Sequence, residues 1–322
     1  MPDGTIVATI CNQPCHGLWE GDVECWGSED GGRTWRLRGT PAPHEPGTNR
    51  MNVAAGLAAN GDPVVIASGW THRPPKGKPA GHEPPAHTLP AWVCRSSDGG
   101  RTWSRNADLP AAPEPGMGPV AVPFGDVLQS ADGALCVSAY AGRREADGVR
   151  SSAYLYRSYD DGRTWGQGTV IGKDDCNETA PLHLGEGHWL AASRTERLGE
   201  LHLFVSEDDA RTWRFSQPLS LPGQHPAHLM RLPDGRILLT YGNRCVGHTG
   251  VDVRVSADEG QTWGGPKRLV NLDLVDLGYP ATVATNDGKL CSAWYTSGLA
   301  AAHQRYHMGT LIWDVNEVAP RK

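Results

Sequence analysis

Five stretches carry one pattern: SEDGGRTW at 28–35, SSDGGRTW at 96–103, SYDDGRTW at 158–165, SEDDARTW at 206–213 and SADEGQTW at 256–263. Aligned, they read S-x-D-x-G-x-T-W, with Ala210 replacing the glycine once. Five copies of an eight-residue signature make this an internal repeat, which fixes the architecture before any single element is assigned. Each copy is a turn. The Asp side chain accepts hydrogen bonds from the backbone that follows it. Glycine supplies a positive φ at little cost. The Thr opens the returning strand, and the Trp has a large face to pack on a neighbouring unit.

Working outward, a short alternating run precedes each box, such as AYLYRS, LHLFVS and VDVRVS. Before that comes a second run after a turn (GALCVSAY, GHWLAASR, GRILLTYG), and before that a third (NETAPLHL, HPAHLMRL, YPATVATN). Three runs plus the strand after the box predict four-stranded antiparallel units, the anatomy of a propeller blade. A sixth unit follows without a box: YPATVAT, KLCSAWY and YHMGTLIWDV. The first unit begins at its second strand, so the tail from Asn316 to Lys322, or sequence preceding Met1, is expected to complete the ring. The expectation is one all-β domain over residues 1–322, a six-bladed β-propeller of four-stranded blades.

Forty glycines, 25 prolines and 12 tryptophans against three phenylalanines suit short strands and many turns. A net charge of −6 gives no footprint for nucleic acid or an anionic membrane. No run approaches the ~18 apolar residues of a membrane helix, and MPDGTIVATI lacks the basic and apolar regions of a secretory leader. The eight cysteines form no CxxC and no zinc spacing and read as reduced, mostly buried thiols. The expected location is the cytoplasm, or outside the cell if a leader precedes this sequence. A Pro-rich insertion at 72–90 interrupts the second unit, and its histidines, His72, His82 and His87, have no metal spacing.

In a propeller the ligand site lies where the inner strands converge. The polar residues that begin those strands or end the second ones are Arg50, Asn52, Glu178, Arg194, His225, His228, Arg244 and Tyr279. Any one of them could be explained by structural pairing; the whole set is less easily explained that way.

The repeated boxes resemble the Asp-box, or BNR repeat, of the sialidase (neuraminidase) superfamily, where the box is scaffold. The resemblance extends to the site. NETAPLHLGEGHWLAASR matches the family's strand-opening Glu and following Arg with Glu178 and Arg194; YGNR supplies a further Arg, Arg244; and LGYPAT places Tyr279 where the family has its nucleophilic Tyr. The resemblance implies an exo-acting glycoside hydrolase on an acidic-sugar glycan. Tyr279 would be the nucleophile and Glu178 its base, with Arg194 and Arg244 holding the substrate carboxylate, a planar anion that suits the guanidinium fork. His225 and His228 are added as substrate contacts. The family's first arginine and its Asp acid have no match here. Arg50 is the candidate for the former, and His16, in CNQPCHGLWEGDVECW, for the latter. No cofactor and no metal are implied. Two other readings are open: a propeller rhamnosidase or polysaccharide lyase acting on uronic-acid glycans, and a non-catalytic glycan-binding propeller.

Overall fold

The computed structural model describes residues 1–13, 20–71, 87–146, 148–166, 168–296 and 306–319. His16, His72 and His82 lie outside the described residues.

Among the described residues, twenty-two strands and one short helix form a series of antiparallel meanders. The first is β1 (Ile6–Asn12), β2 (Asp22–Ser28) and β3 (Arg36–Ala42). The second is β4 (Asn52–Leu57), β5 (Pro63–Trp70), β6 (Thr88–Arg95) and β7 (Ser104–Asp108). The third is β8 (Val122–Gln129), β9 (Leu135–Glu145), β10 (Gly148–Ser158) and β11 (Thr169–Gly172). The fourth is β12 (Cys176–Gly185), β13 (His188–Thr195), β14 (Leu201–Ser206) and β15 (Arg214–Pro218). The fifth is β16 (Gln224–Arg231), β17 (Ile237–Asn243), β18 (Gly250–Ser256) and β19 (Lys267–Asn271). The sixth is β20 (Gly278–Ala284), β21 (Leu290–Thr296) and β22 (His307–Trp313), followed by α1 (Val315–Val318).

Two features depart from six separate four-stranded units. The first and last meanders have three strands among the described residues. The second and third meanders form one eight-stranded sheet, so the hydrogen-bonded sheets number five. The join is a parallel pairing of β4 with β8, Ala54 opposite Gly125 through Gly56 opposite Val127. A Cβ on Gly56 would lie 2.2 Å from the Val127 carbonyl oxygen, so the missing side chain permits this backbone approach. Among the described residues the tail adds no strand: α1 packs its Val315 and Val318 on the core of the fifth and sixth meanders, and Arg236 Nη1 donates to the Ala319 carbonyl at 2.6 Å.

The boxes are hydrogen-bonded turns, as read. In the first, Thr34 N donates to Asp30 Oδ1 at 2.9 Å, Thr34 Oγ1 to Asp30 Oδ2 at 2.6 Å, and Gly32 N to Ser28 Oγ at 2.8 Å. The Thr-to-Asp bond recurs at Thr102, Thr164, Thr212 and Thr262. These bonds hold the Asp208 carboxyl down at about 2, Thr212 contributing most. Four of the Trp indoles donate to the box glycine carbonyl. The fifth, Trp213, follows Ala210 and leaves Nε1 without a partner. The box loops also pack one meander on the next. A Cβ on Gly260 would meet Leu190 of the fourth meander at 2.8 Å, and one on Gly32 would meet Cys291 Sγ of the sixth at 2.4 Å. With Arg33 Nη2 3.4 Å from Asp287 Oδ2, the latter contact brings the first meander against the last. The apolar cores lie between neighbours, as where Phe124, Leu190, Leu203, Leu239 and Tyr241 cluster. The described cysteines are all unbridged, and burial pushes the Cys25, Cys94, Cys136, Cys176 and Cys291 thiols up to about 11.

Candidate active site

The first strands β4, β8, β12, β16 and β20 lie side by side in that order. Four of them break register where polar residues gather, β12, β16 and β20 at their opening (between Cys176 and Thr179, Gln224 and Ala227, and Gly278 and Ala281) and β8 midway, between Phe124 and Val127. Extra residues on one strand bend it and re-aim side chains, and such bulges concentrate beside active sites. The residues in these four bulges include Asp126, Glu178, His225 and Tyr279. Tyr279 has φ +49°, a left-handed conformation that a bulky side chain adopts only when its surroundings impose it.

The bulges bring three of the predicted residues together. The Tyr279 hydroxyl donates to Glu178 Oε1 in a short hydrogen bond, and Arg194 Nη1 donates to Glu178 Oε2 at 2.8 Å. Arg194, at the end of β13, stands opposite the β12 bulge. The Glu178 side chain is 5% exposed and that of Arg194 24%. Burial, and then the Glu178 carboxylate, push the Tyr279 phenol well above its usual range, with Arg244 opposing. Left alone this hydroxyl stays protonated, and Glu178 is the acceptor already on its proton.

Arg244 lies just beyond β17, its guanidinium carbon 5.7 Å from the centre of the Tyr279 ring and Nη2 3.3 Å from the Tyr295 hydroxyl. His225 is buried, with Nδ1 unpartnered. Burial, then Arg194 and Arg244, lower its pKa to about 3, so it is neutral at physiological pH. His228 is also buried. Its Nδ1 accepts from the Thr282 amide at 3.4 Å, which places the proton on Nε2, 3.1 Å from Asp126 Oδ2. Arg194 Nε and Arg244 Nε are buried without partners. The arrangement offers two guanidinium groups with unused donors, one carboxylate, one phenol and a neutral imidazole.

Arg50 is not brought to this group. Its side chain is almost wholly buried within its own meander, where Nη1 donates to the Pro90 carbonyl at 2.8 Å and the guanidinium stacks 3.5 Å from the Trp92 ring centre. Arg105 lies over the same ring at 4.5 Å, so two guanidinium groups share Trp92. The acidic residues near His16 in sequence are engaged elsewhere: Asp22 Oδ1 lies 2.7 Å from His44 Nδ1, and Glu20 Oε2 lies 3.4 Å from His44 Nε2.

Several members of the cluster were not anticipated. Tyr295 ends β21 as Arg194 ends β13, so the positional rule that found Arg194 also identifies it. Its ring lies 5.6 Å from that of Tyr279, and its hydroxyl is 2.5 Å from Asp276 Oδ1. Tyr306 donates to the other Asp276 oxygen. Asp126 had no local signal, because its partner His228 is 102 residues away.

A curated sialidase of Micromonospora viridifaciens is 26% identical over 293 residues, which cover 81% of this chain. The match takes in 44% of that protein, so this chain spans less than half the length of that relative. Among solved structures, a Dyadobacter fermentans protein of unknown function has a TM-score of 0.79 at 21% identity, covering 97% of this chain and 92% of its own. A sialidase of Streptococcus pneumoniae has a TM-score of 0.72 at 12% identity, covering 98% and 67%. A Penicillium chrysogenum α-L-arabinanase has a TM-score of 0.55 at 17% identity, covering 78% of each chain. At these identities the structural likeness speaks for an all-β, sialidase-like fold. The sequence family described as a BNR repeat-like domain matches residues 85–291, more than half of the chain, and to that family this protein belongs.

Proposed function

We propose that the six meanders are the blades of a six-bladed propeller and that the protein is an exo-acting glycoside hydrolase on an acidic-sugar glycan. The observation that carries this reading is the contact series Tyr279–Glu178–Arg194 with Arg244 beside the Tyr279 ring. Arg194 and Arg244 hold the sugar carboxylate through their unused N–H groups. A carboxylate nucleophile would be repelled by that anion; a phenol is not, and sialidases are the known exception to the two-carboxylate rule. Tyr279 Oη attacks the anomeric carbon while its proton passes to Glu178. The bond to the leaving oxygen breaks, and that oxygen takes a proton from a general acid. Water then attacks the anomeric carbon and displaces Tyr279; the water's proton goes to the general acid, deprotonated in the first step, and Glu178 returns its proton to the Tyr279 oxygen. His16 is proposed as the acid because Glu20 and Asp22 are both engaged with His44. The test is turnover of 4-methylumbelliferyl N-acetylneuraminic acid by the wild type and by Tyr279→Phe. The variant is expected to fold and to be inactive; a variant of undiminished activity refutes the assignment.

A second reading has its own support. The His228–Asp126 pair adds a histidine and a carboxylate to the cluster that holds Tyr279 and the arginines, the residue types a uronic-acid lyase employs. Ultraviolet absorbance of an unsaturated product from a uronic-acid glycan, lost in His228→Ala, would favour it. Specific glycan binding without turnover of any acidic glycoside would favour a non-catalytic glycan-binding propeller instead.

A further inference from the structure

Arg194 and Arg244 are held in different ways. Arg194 is fixed by a carboxylate. Arg244 has no carboxylate partner among the described residues; its one hydrogen bond runs from Nη2 to the hydroxyl of Tyr295 at 3.3 Å. Arg244 is half-buried, and a guanidinium withdrawn from water is ordinarily paired, so the neutral anchor calls for a physical account.

Asp276 supplies it. This residue precedes β20, and its two carboxylate oxygens receive the hydroxyls of Tyr295 and Tyr306. A phenol has one proton, and an ionised carboxylate only accepts. The Tyr295 proton therefore points to Asp276, and the oxygen is left as an acceptor facing Arg244. The Tyr295 ring is held in place on both sides, 5.6 Å from the Tyr279 ring and 5.3 Å, edge to face, from the Tyr306 ring. Burial, with Asp276 adding to it, pushes the Tyr295 phenol upward, so the hydroxyl keeps its proton.

We propose that Asp276 is a positioning residue for the anion seat, acting through Tyr295. It fixes the direction of the Tyr295 hydroxyl, so a neutral oxygen anchors Arg244 and its charge stays unspent for the ligand. A carboxylate directly on Arg244 would hold the guanidinium equally well but would occupy the fork that binds a planar anion. This rests on the reading of Arg244 as part of an anion seat.

The test uses Tyr295→Phe, Asp276→Ala and the double variant of the full chain. Calorimetry measures the affinity for N-acetylneuraminic acid and for its methyl ester, which lacks the anion. Each single change is expected to weaken the acid roughly tenfold, the scale of one hydrogen bond to a charged group, and to leave the ester unchanged. The double variant should lose no more than either single variant, because the two residues act in series. A second readout needs no ligand: the side-chain Nε–Hε NMR signal of Arg244 should show faster guanidinium rotation in both single variants. Additive losses, equal losses for acid and ester, or an unchanged Arg244 signal in Tyr295→Phe would each overturn the proposal. If the wild type binds neither compound, the anion-site reading has failed, and the Arg244 signal alone decides whether Asp276 positions it.

Discussion

Replacing Glu178 by glutamine separates the roles assigned to it. The side chain is 5% exposed and bonded at both oxygens, to the Tyr279 hydroxyl and to Arg194 at 2.8 Å. Glutamine keeps the shape. Arg194 has only donors, so the amide oxygen stays on Arg194 and the amide NH2 turns to Tyr279. The phenol must then accept, and its proton has no base. An unperturbed tyrosine, with a pKa of about 10, is roughly one part in a thousand ionised at pH 7, and Tyr279 is shifted further up. On the proposed mechanism kcat should therefore fall by about 10³-fold or more, within the range of general base catalysis. The cost in stability is small, about 1 kcal/mol for exchanging a charge-assisted bond for a neutral one, or about 2 °C in Tm for a chain of this size. Arg194 no longer shares its charge, so a carboxylate ligand should bind a few-fold tighter. Steady-state kinetics on a fluorogenic acidic glycoside, thermal melting and calorimetry read the three quantities. A kcat within tenfold of wild type, or weaker binding of the carboxylate in a folded variant, would refute the assignment of Glu178 as base and as partner of Arg194.

Three further outcomes are expected. Arg50→Ala should lower Tm, because it removes a cation–π stack worth up to about 2 kcal/mol, yet leave affinity for an acidic sugar unchanged; a loss of affinity would return Arg50 to the site. Gly32→Ala, at φ +92° with its Cβ 2.4 Å from Cys291 Sγ, should lower Tm more than Gly133→Ala, which has a similar φ of +83° and open space around it. Equal shifts would mean that packing between the first and last meanders adds nothing beyond backbone strain. His225 titrates at about 3 in the folded protein against an ordinary 6.5, so the unfolded chain takes up a proton below 6.5 that the folded protein refuses. Stability should then fall as pH drops from about 6.5 toward 3, by at most about 1.4 kcal/mol per pH unit from this group, and His225→Gln should flatten that slope in denaturant titrations.

How much of this was legible depends on how local each signal is. The boxes were readable because the bonds that close each turn span four residues or fewer, as between Asp30 and Thr34. Glu178, Arg194, Arg244 and Tyr279 were readable because strand starts and strand ends recur at fixed places in the repeat. Tyr295 satisfies the same rule, since it is penultimate in β21 as Arg194 is in β13. Asp276 sits in a connection with no periodicity, and its partners are 19 and 30 residues further on. The fusion of the second and third meanders depends on a backbone approach at Gly56 that no alternation of apolar residues reports.

Arg50 is the informative misreading, and the bulges explain it. It occupies the same place in its repeat as Glu178, His225 and Tyr279, at the opening of a first strand. In β12, β16 and β20 that opening is doubled on one side, and the side chains there are re-aimed. In β4 the pairing with β5 runs without a shift, Asn52 opposite Ser68 through Leu57 opposite Pro63. The residue before that regular strand is left to pack within its own meander, on Trp92. The repeat thus supplies a place for a functional residue in each unit, and the local register decides whether that place faces the site. Such a bulge cannot be read from residue type alone, since Asp126, Glu178, His225 and Tyr279 share no chemistry. The clustering of the site on the third to sixth meanders follows directly: these are the units whose first strands break register.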